Sequence, residues 1–320
     1  MALYDVPAPA KINLFLHVTG RRDDGYHLLE TAFRFIDLCD TLSFDVRSDG
    51  QIVREGEGMA GLAPQDDLVL RAASALQQAT GTRQGAQISY RKIIPSGAGL
   101  GGGSSDAATT LIALNRLWQT GLSRQELMKL ALPLGADVPV FVYGRPAFAR
   151  GIGEILDPLT LPERAYLVVR PPQSVPTAGI FSAPDLTRDS PSVRISVFAD
   201  WQTINAPADG SSVSGKNKGC KGFLGNNLFG RNDLEPVVFA KYPCVGAASK
   251  WLTEQGYNAR MSGSGSCFFI EFAMLEQAVV CEKQIIGKIS CRESGSTAVI
   301  QNAWACSGLM DHPLLNWISS

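Results

Sequence analysis

The chain has 320 residues, beyond the length at which one hydrophobic core usually keeps growing, so two domains are expected. Apolar residues make up 45% and charged residues 18%, a balance that excludes wholesale disorder. The formal net charge of −1 gives no global pull toward nucleic acid, so any anionic ligand must be held by local backbone dipoles and a few lysines.

The N-terminus, MALYDVPAPAKINLFL, lacks a basic segment followed by a long apolar core, and no apolar run reaches membrane-spanning length. A cytoplasmic protein without signal peptide or membrane helix is expected. Residues 11–18 mix β-branched, aromatic and small side chains at strand length, and residues 28–46 read as two more strands. Asp66 and Asp67 can cap a helix over 68–80 that Gly81 stops. Residues 87–93 partly alternate, as a half-buried strand does. A second helix is expected from near Ser104. A third has a capping box at Ser123 and Glu126, with Leu127, Leu130 and Ala131 on one face. Pro133 and Gly135 break that pattern just before Asp137. A composition shift near 150–165 suggests domains 1–158 and 159–320, the second opening with an apolar strand from Leu167. Residues 209–222, rich in Ser, Gly and Lys, read as an exposed loop, and no fixed-period repeat occurs.

Seven cysteines with no CxxC pair, and three histidines far apart, argue against both a structural zinc site and a disulfide framework. Idle reduced thiols are expected.

The segment KIIPSGAGLGGGSSDAA, residues 92–108, is the most informative. Its core comprises Pro95, Ser96, Gly97, Ala98, Gly99, Leu100, Gly101, Gly102, Gly103, Ser104 and Ser105, between a predicted strand and a predicted helix. Glycines let backbone amides approach an anion, and a helix start adds unpaired N–H groups and the positive end of its dipole. Together they make a phosphate cradle. Taken alone, such a run also suits a flexible linker. GxxxxGK[ST] is absent, so the run is not a Walker A loop. Gly97, Gly99 and Gly102 satisfy GxGxxG, but late in the chain and without an acidic ribose reader, which speaks against a dinucleotide dehydrogenase.

This loop resembles the second motif of the GHMP kinases, the family of galactokinase, homoserine, mevalonate and phosphomevalonate kinases. PAKINLFL at 9–16 resembles its first motif, and SGSGSCFF at 262–269 its third. Three motifs in order are far more specific than one. Within the family, residues 10–33, 134–142, 175–188 and 232–236 resemble the branch whose acceptor is a cytidyl-linked methylerythritol of non-mevalonate isoprenoid synthesis. The resemblance covers most of the chain; residues 209–222 look like an insertion, and the tail from Glu282 matches loosely.

The resemblance implies an α+β, two-domain fold: an N-terminal α/β domain like ribosomal protein S5 domain 2, and a C-terminal ferredoxin-like α+β domain, with the active site between them. It implies ATP-dependent phosphorylation of the acceptor's 2-hydroxyl, with Asp137 accepting the hydroxyl proton and Lys11 steadying the developing charge. Read without it, Asp137 is a solvated turn carboxylate, and Lys11 is either a snorkelling edge residue or a held cation. By resemblance Asn13 hydrogen-bonds the acceptor, Tyr26 and Phe181 flank the cytosine, and His27 bonds its edge; Phe181 alone reads equally well as core. Ser262 and Gly263 are expected to touch the substrate. Mg²⁺ is expected with ATP, without protein ligands assigned. Expected partners are the two small molecules, not nucleic acid or membrane, with monomer and homodimer both open. The rival readings are another GHMP kinase acting on a sugar or mevalonate-type alcohol, and a non-catalytic nucleotide-binding module.

Overall fold

Two long antiparallel strands organise the first half of the chain. In the computed structural model, which describes residues 1–56, 63–204, 228–290 and 299–318, β1 spans Ala2–Arg21 and β2 spans His27–Arg47. They pair from Ala2↔Asp45 to Arg21↔His27, with register shifts that include one at Pro9/Ala10. The two strands expected within 28–46 are therefore one. Within β2 the fully buried Asp40 carboxylate accepts from the backbone N–H groups of Ile93 and Ile94 and from Lys92 Nζ. The polarity serves a lateral contact with the glycine loop, and a bulged register absorbs the irregularity.

β3 (Ile52–Arg54) is followed by α1 (Leu68–Thr80). The Asp67 carboxylate caps α1 by accepting from Val69 N at 2.9 Å, and Gly81 ends it with φ 65°, both as the sequence indicates. β4 (Gly85–Arg91) lies antiparallel to β2 and parallel to β3. α2 (Gly102–Leu117) is buried almost all round, as its run of alanines, threonines and leucines allows. α3 (Arg124–Ala131) carries the Ser123–Glu126 capping box. α4 (Val138–Tyr143), β5 (Ala147–Arg150) and β6 (Ile155–Pro158) complete this half.

The second half opens with β7 (Ala165–Arg170), then α5 (Thr177–Phe181), α6 (Ile195–Ile204), α7 (Glu235–Lys241), α8 (Pro243–Glu254), β8 (Arg260–Met261), β9 (Phe268–Phe272), α9 (Leu275–Ser290) and β10 (Asn302–Leu309). The strand order is β3-β4-β2-β10-β7-β9-β8, with β1 and β5 also on β2. β10 pairs with β7 from Asn302↔Arg170 to Ser307↔Ala165, then with β2 at Gly308 and Leu309. The last strand thus joins the two halves.

Burial follows the same plan. One apolar cluster gathers around Phe35, Phe44, Leu111 and Phe141, and another around Leu167, Val238, Leu252 and Ile270. A third, with Ile12, Phe15, Phe148, Tyr166 and Phe269, lies between them. Burying these side chains supplies most of the driving force for folding, at about 1.5–3 kcal/mol for each large one.

The expected 209–222 insertion lies outside the described residues, as do Cys220 and Cys291. Cys39, Cys244, Cys267 and Cys306 are free thiols. Among the described residues no helix is long and apolar enough to cross a membrane.

Candidate active site

The three sequence motifs converge on a cleft of about 860 Å³. Its floor is the loop between β4 and α2. The helix starts at Gly102, two residues before Ser104, so the last glycines and both serines form its first turn. Gly101 is the N-cap with φ 71° and lacks a side chain that could cap the turn. The opening N–H groups of α2 therefore keep no intrahelical partner and stand at the positive end of a buried sixteen-residue helix, the arrangement that holds phosphate oxygens.

Not every loop residue faces the cleft. Pro95 through Ser104 line it. Ser105 does not: its hydroxyl is fully buried and donates to Pro9 O at 2.7 Å, locking α2 onto β1. Leu100 packs in the core, and its carbonyl accepts from Lys11 N at 2.9 Å.

That bond brings Lys11 to the head of the loop. Its Nζ lies 3.2 Å from Asp137 Oδ2, donates to Asn13 Oδ1 at 2.6 Å and sits 5.4 Å from the Phe33 ring centroid. The Lys11 side chain is 3% exposed and Asp137 36%, so a buried ammonium is aimed at a carboxylate that still meets the cleft. A buried charge needs such partners. Asp137 precedes α4, and its carboxylate makes no capping bond to that helix, which leaves it for Lys11 and for a ligand. Asn13 is already engaged, with its oxygen taken by Lys11 and its amide donating to Thr31 Oγ1 at 2.9 Å. It lines the cleft as part of the lysine's mounting.

The third motif closes over the same point. Ser262 Oγ donates to Gly99 O at 2.8 Å and accepts from Asn13 N at 3.2 Å, so one hydroxyl ties all three motifs together. Ser262 is buried and does not line the cleft, whereas Gly263 and Ser264 do. Asn232 Nδ2 holds the carbonyls of Met261 and Gly263 at 2.8 Å each, which gives the NDLEP segment a supporting role.

Tyr26, His27 and Phe181 also line the cleft. Tyr26 is 59% exposed. His27 is buried, and its ring centroid lies 5.3 Å from that of Phe181. Arg188 Nε donates to His27 Nε2 at 3.0 Å. Burial first, then the positive Arg188 and Arg21, hold His27 below the ordinary histidine range.

Sequence reasoning missed several residues. Lys92 bridges the buried carboxylates of Asp40 and Asp106 beside the glycine loop. Burial, opposed by Lys92 and reinforced by Asp40, pushes Asp106 up to about 7. Lys92 and Asp106 lay inside the motif already singled out, but Asp40, which makes sense of them, is distant in sequence. Arg188 and Thr31 lay inside segments already singled out, 175–188 and 10–33, but were given no role.

The GHMP kinases N terminal domain family matches residues 67–145, and the GHMP kinases C terminal family matches 223–283. The chain is 57% identical to the 4-diphosphocytidyl-2-C-methyl-D-erythritol kinase of Bordetella bronchiseptica over 100% of both chains. It is 50% identical to that of an Azoarcus species over 96% of this chain and 95% of the relative. A solved structure of 4-(cytidine 5'-diphospho)-2C-methyl-D-erythritol kinase superposes with a TM-score of 0.71 at 32% identity, covering 96% of this chain and 99% of the other. A homoserine kinase from Cytophaga hutchinsonii shares the fold at TM-score 0.61 and 16% identity, covering 97% of this chain and 95% of its own.

Proposed function

Because this chain belongs to the GHMP kinase family, we propose that it transfers the γ-phosphoryl group of ATP to the 2-hydroxyl of 4-diphosphocytidyl-2-C-methyl-D-erythritol, a step of non-mevalonate isoprenoid precursor synthesis. Members of this family are ATP-dependent kinases, and this chain is one. The observation that carries the acceptor reading is the set of groups that line one cleft. A glycine loop opening a helix, the Lys11–Asp137 pair, and the group of Tyr26, His27 and Phe181 all line it.

In this reading the loop and the start of α2 hold the ATP phosphates. The acceptor's 2-hydroxyl oxygen forms a bond to the γ-phosphorus while the bond from that phosphorus to the β–γ bridging oxygen breaks and ADP leaves. Asp137 takes the hydroxyl proton, and Lys11, fixed by Asn13, faces the charge that develops on the transferring group. Tyr26 and Phe181 stack on the cytosine and His27 reads its edge. Residues 1–158 carry the ATP site, and 159–320 complete the acceptor site.

Mg²⁺ enters with ATP. Among the described residues no three His, Cys, Asp or Glu side chains gather to hold a metal ion. Among the oxygen donors lining the cleft, the Asp137 carboxylate and the Ser104 hydroxyl fit an ion held mainly by phosphate oxygens and water. When bound, the ion neutralises charge on the phosphates.

The test is a coupled ADP-release assay with 4-diphosphocytidyl-2-C-methyl-D-erythritol, run beside mevalonate, homoserine and galactose. Turnover with the cytidyl alcohol alone is expected. A folded sample that ignores it, or prefers one of the others, overturns the acceptor reading.

A further inference from the structure

His27 opens β2, where burial leaves it few ways to satisfy its ring nitrogens. Its Nε2 accepts from Arg188 Nε at 3.0 Å. A guanidinium carries only donors, so this bond runs one way. Nε2 must therefore hold a lone pair, which an imidazolium lacks. A neutral imidazole with its lone pair on Nε2 carries its proton on Nδ1. His27 lines the cleft, and among the described residues Nδ1 has no hydrogen-bond partner. What His27 offers a ligand is a donor.

The remaining donors of Arg188 are spent as well. Nη1 donates to the carbonyls of Pro184 at 3.3 Å and Leu186 at 3.0 Å. Nη2 donates to those of Phe181 at 3.4 Å and Ala183 at 2.5 Å. The guanidinium cannot leave His27 without stripping the turn that follows α5. The same group therefore holds the backbone of Phe181, whose ring stands 5.3 Å from that of His27.

We infer that Arg188 is a specificity-determining positioning residue for the pyrimidine end of the cleft: it fixes His27 as the Nδ1–H tautomer and holds Phe181 beside it. This rests on the proposed reading of that end as the cytosine site. Cytosine presents acceptors at N3 and O2, whereas uracil carries N–H at position 3. A ring locked as a donor favours the first base, and a ring free to exchange tautomers discriminates less. The charged groups facing His27 are Arg188, from the turn after α5, and Arg21, from the end of β1; both disfavour the imidazolium.

The test is two-part. Long-range ¹⁵N–¹H spectra of histidine-labelled enzyme, with only three histidines to resolve, read the tautomer directly. Wild type should show His27 neutral with the proton on Nδ1 at pH 7. In Arg188→Met the Nε2–H form should appear and the ring should titrate closer to ordinary histidine. Calorimetry with CDP and UDP should then show CDP affinity falling by roughly tenfold, the worth of about one hydrogen bond, and the CDP-over-UDP preference shrinking, with KM for ATP unchanged. A wild-type His27 that is Nε2–H or protonated overturns the inference even if the variant fails to fold. So does a folded Arg188→Met that keeps both tautomer and preference. If His27 has the expected tautomer and the variant loses it, but the cytidyl alcohol is not turned over, the positioning role stands and the acceptor reading falls.

Discussion

Lys11 reaches Asp137 from the interior of a strand, and neither residue declares its role locally. A lysine among apolar residues reads as a snorkelling side chain, and an aspartate in a Gly-Ala-Asp-Val-Pro turn reads as solvated. Only the fold makes them partners, 3.2 Å apart, with Asn13 and Phe33 fixing the ammonium. The family motifs pointed to both positions, but not to what secures them. If Asp137 is the proton acceptor, Asp137→Asn keeps the shape of the side chain and loses its basicity. Turnover should fall by about 10²–10⁴-fold, the usual worth of a general base, with the chain still folded. A kcat within a few-fold of wild type would remove Asp137 from the chemistry. Ser262 shows the opposite limit: its hydroxyl binds Gly99 O and Asn13 N, and so acts on the site by joining its loops.

At the scale of elements, legibility tracked how local the determinant is. The Asp67 cap, the Gly81 stop and the Ser123–Glu126 box each depend on residues within one turn, and each was readable. The single long β2 was not, because Asp40 is bound by the distant Ile93, Ile94 and Lys92, and a window of neighbours sees only a polar interruption. The start of α2 falls two residues before Ser104, because its opening glycines form a helical turn that faces the cleft. The glycines are also unequal. A Cβ on Gly99 would stand 1.9 Å from Ser262 O, at φ 74°; one on Gly103, in the helix, meets only Leu68 Cδ1 at 3.5 Å. Gly99→Ala should therefore cost about 2 kcal/mol or more and weaken binding of both substrates, since it pushes the second and third motifs apart. Gly103→Ala should be neutral or stabilising by about 0.5–1 kcal/mol. Urea unfolding of the two variants checks the contrast, and equal effects would show that the loop junction is not tight.

For the whole molecule, the feature least visible in the sequence is the return of the C-terminus to the first half. Pairing of β10 with both β7 and β2 depends on partners far away in the chain, and the tail carries no motif. Beyond β10, Leu314 and Ile318 enter the apolar cluster of the first half, and His312 N donates to Gly144 O at 2.8 Å. His312 is 2% exposed, its ring meets Phe35 edge-on at 5.8 Å, and its Nδ1 accepts from Leu314 N at 3.1 Å. Burial, with the nearby Arg124 charge, lowers it to about 3. The folded state thus binds this proton only well below the pH at which an unfolded histidine takes it up, near 6.5. The stability it contributes is complete above about pH 6.5 and drains away as pH falls toward about 3, by up to about 1.4 kcal/mol per unit. His312→Asn, which keeps an acceptor for Leu314 N, should cost stability at pH 7 yet flatten the decline between pH 6.5 and 4. Denaturant titrations of both proteins across that range decide it. Parallel curves would mean that the tail is not locked by a neutral His312, and that acid loosens this molecule elsewhere.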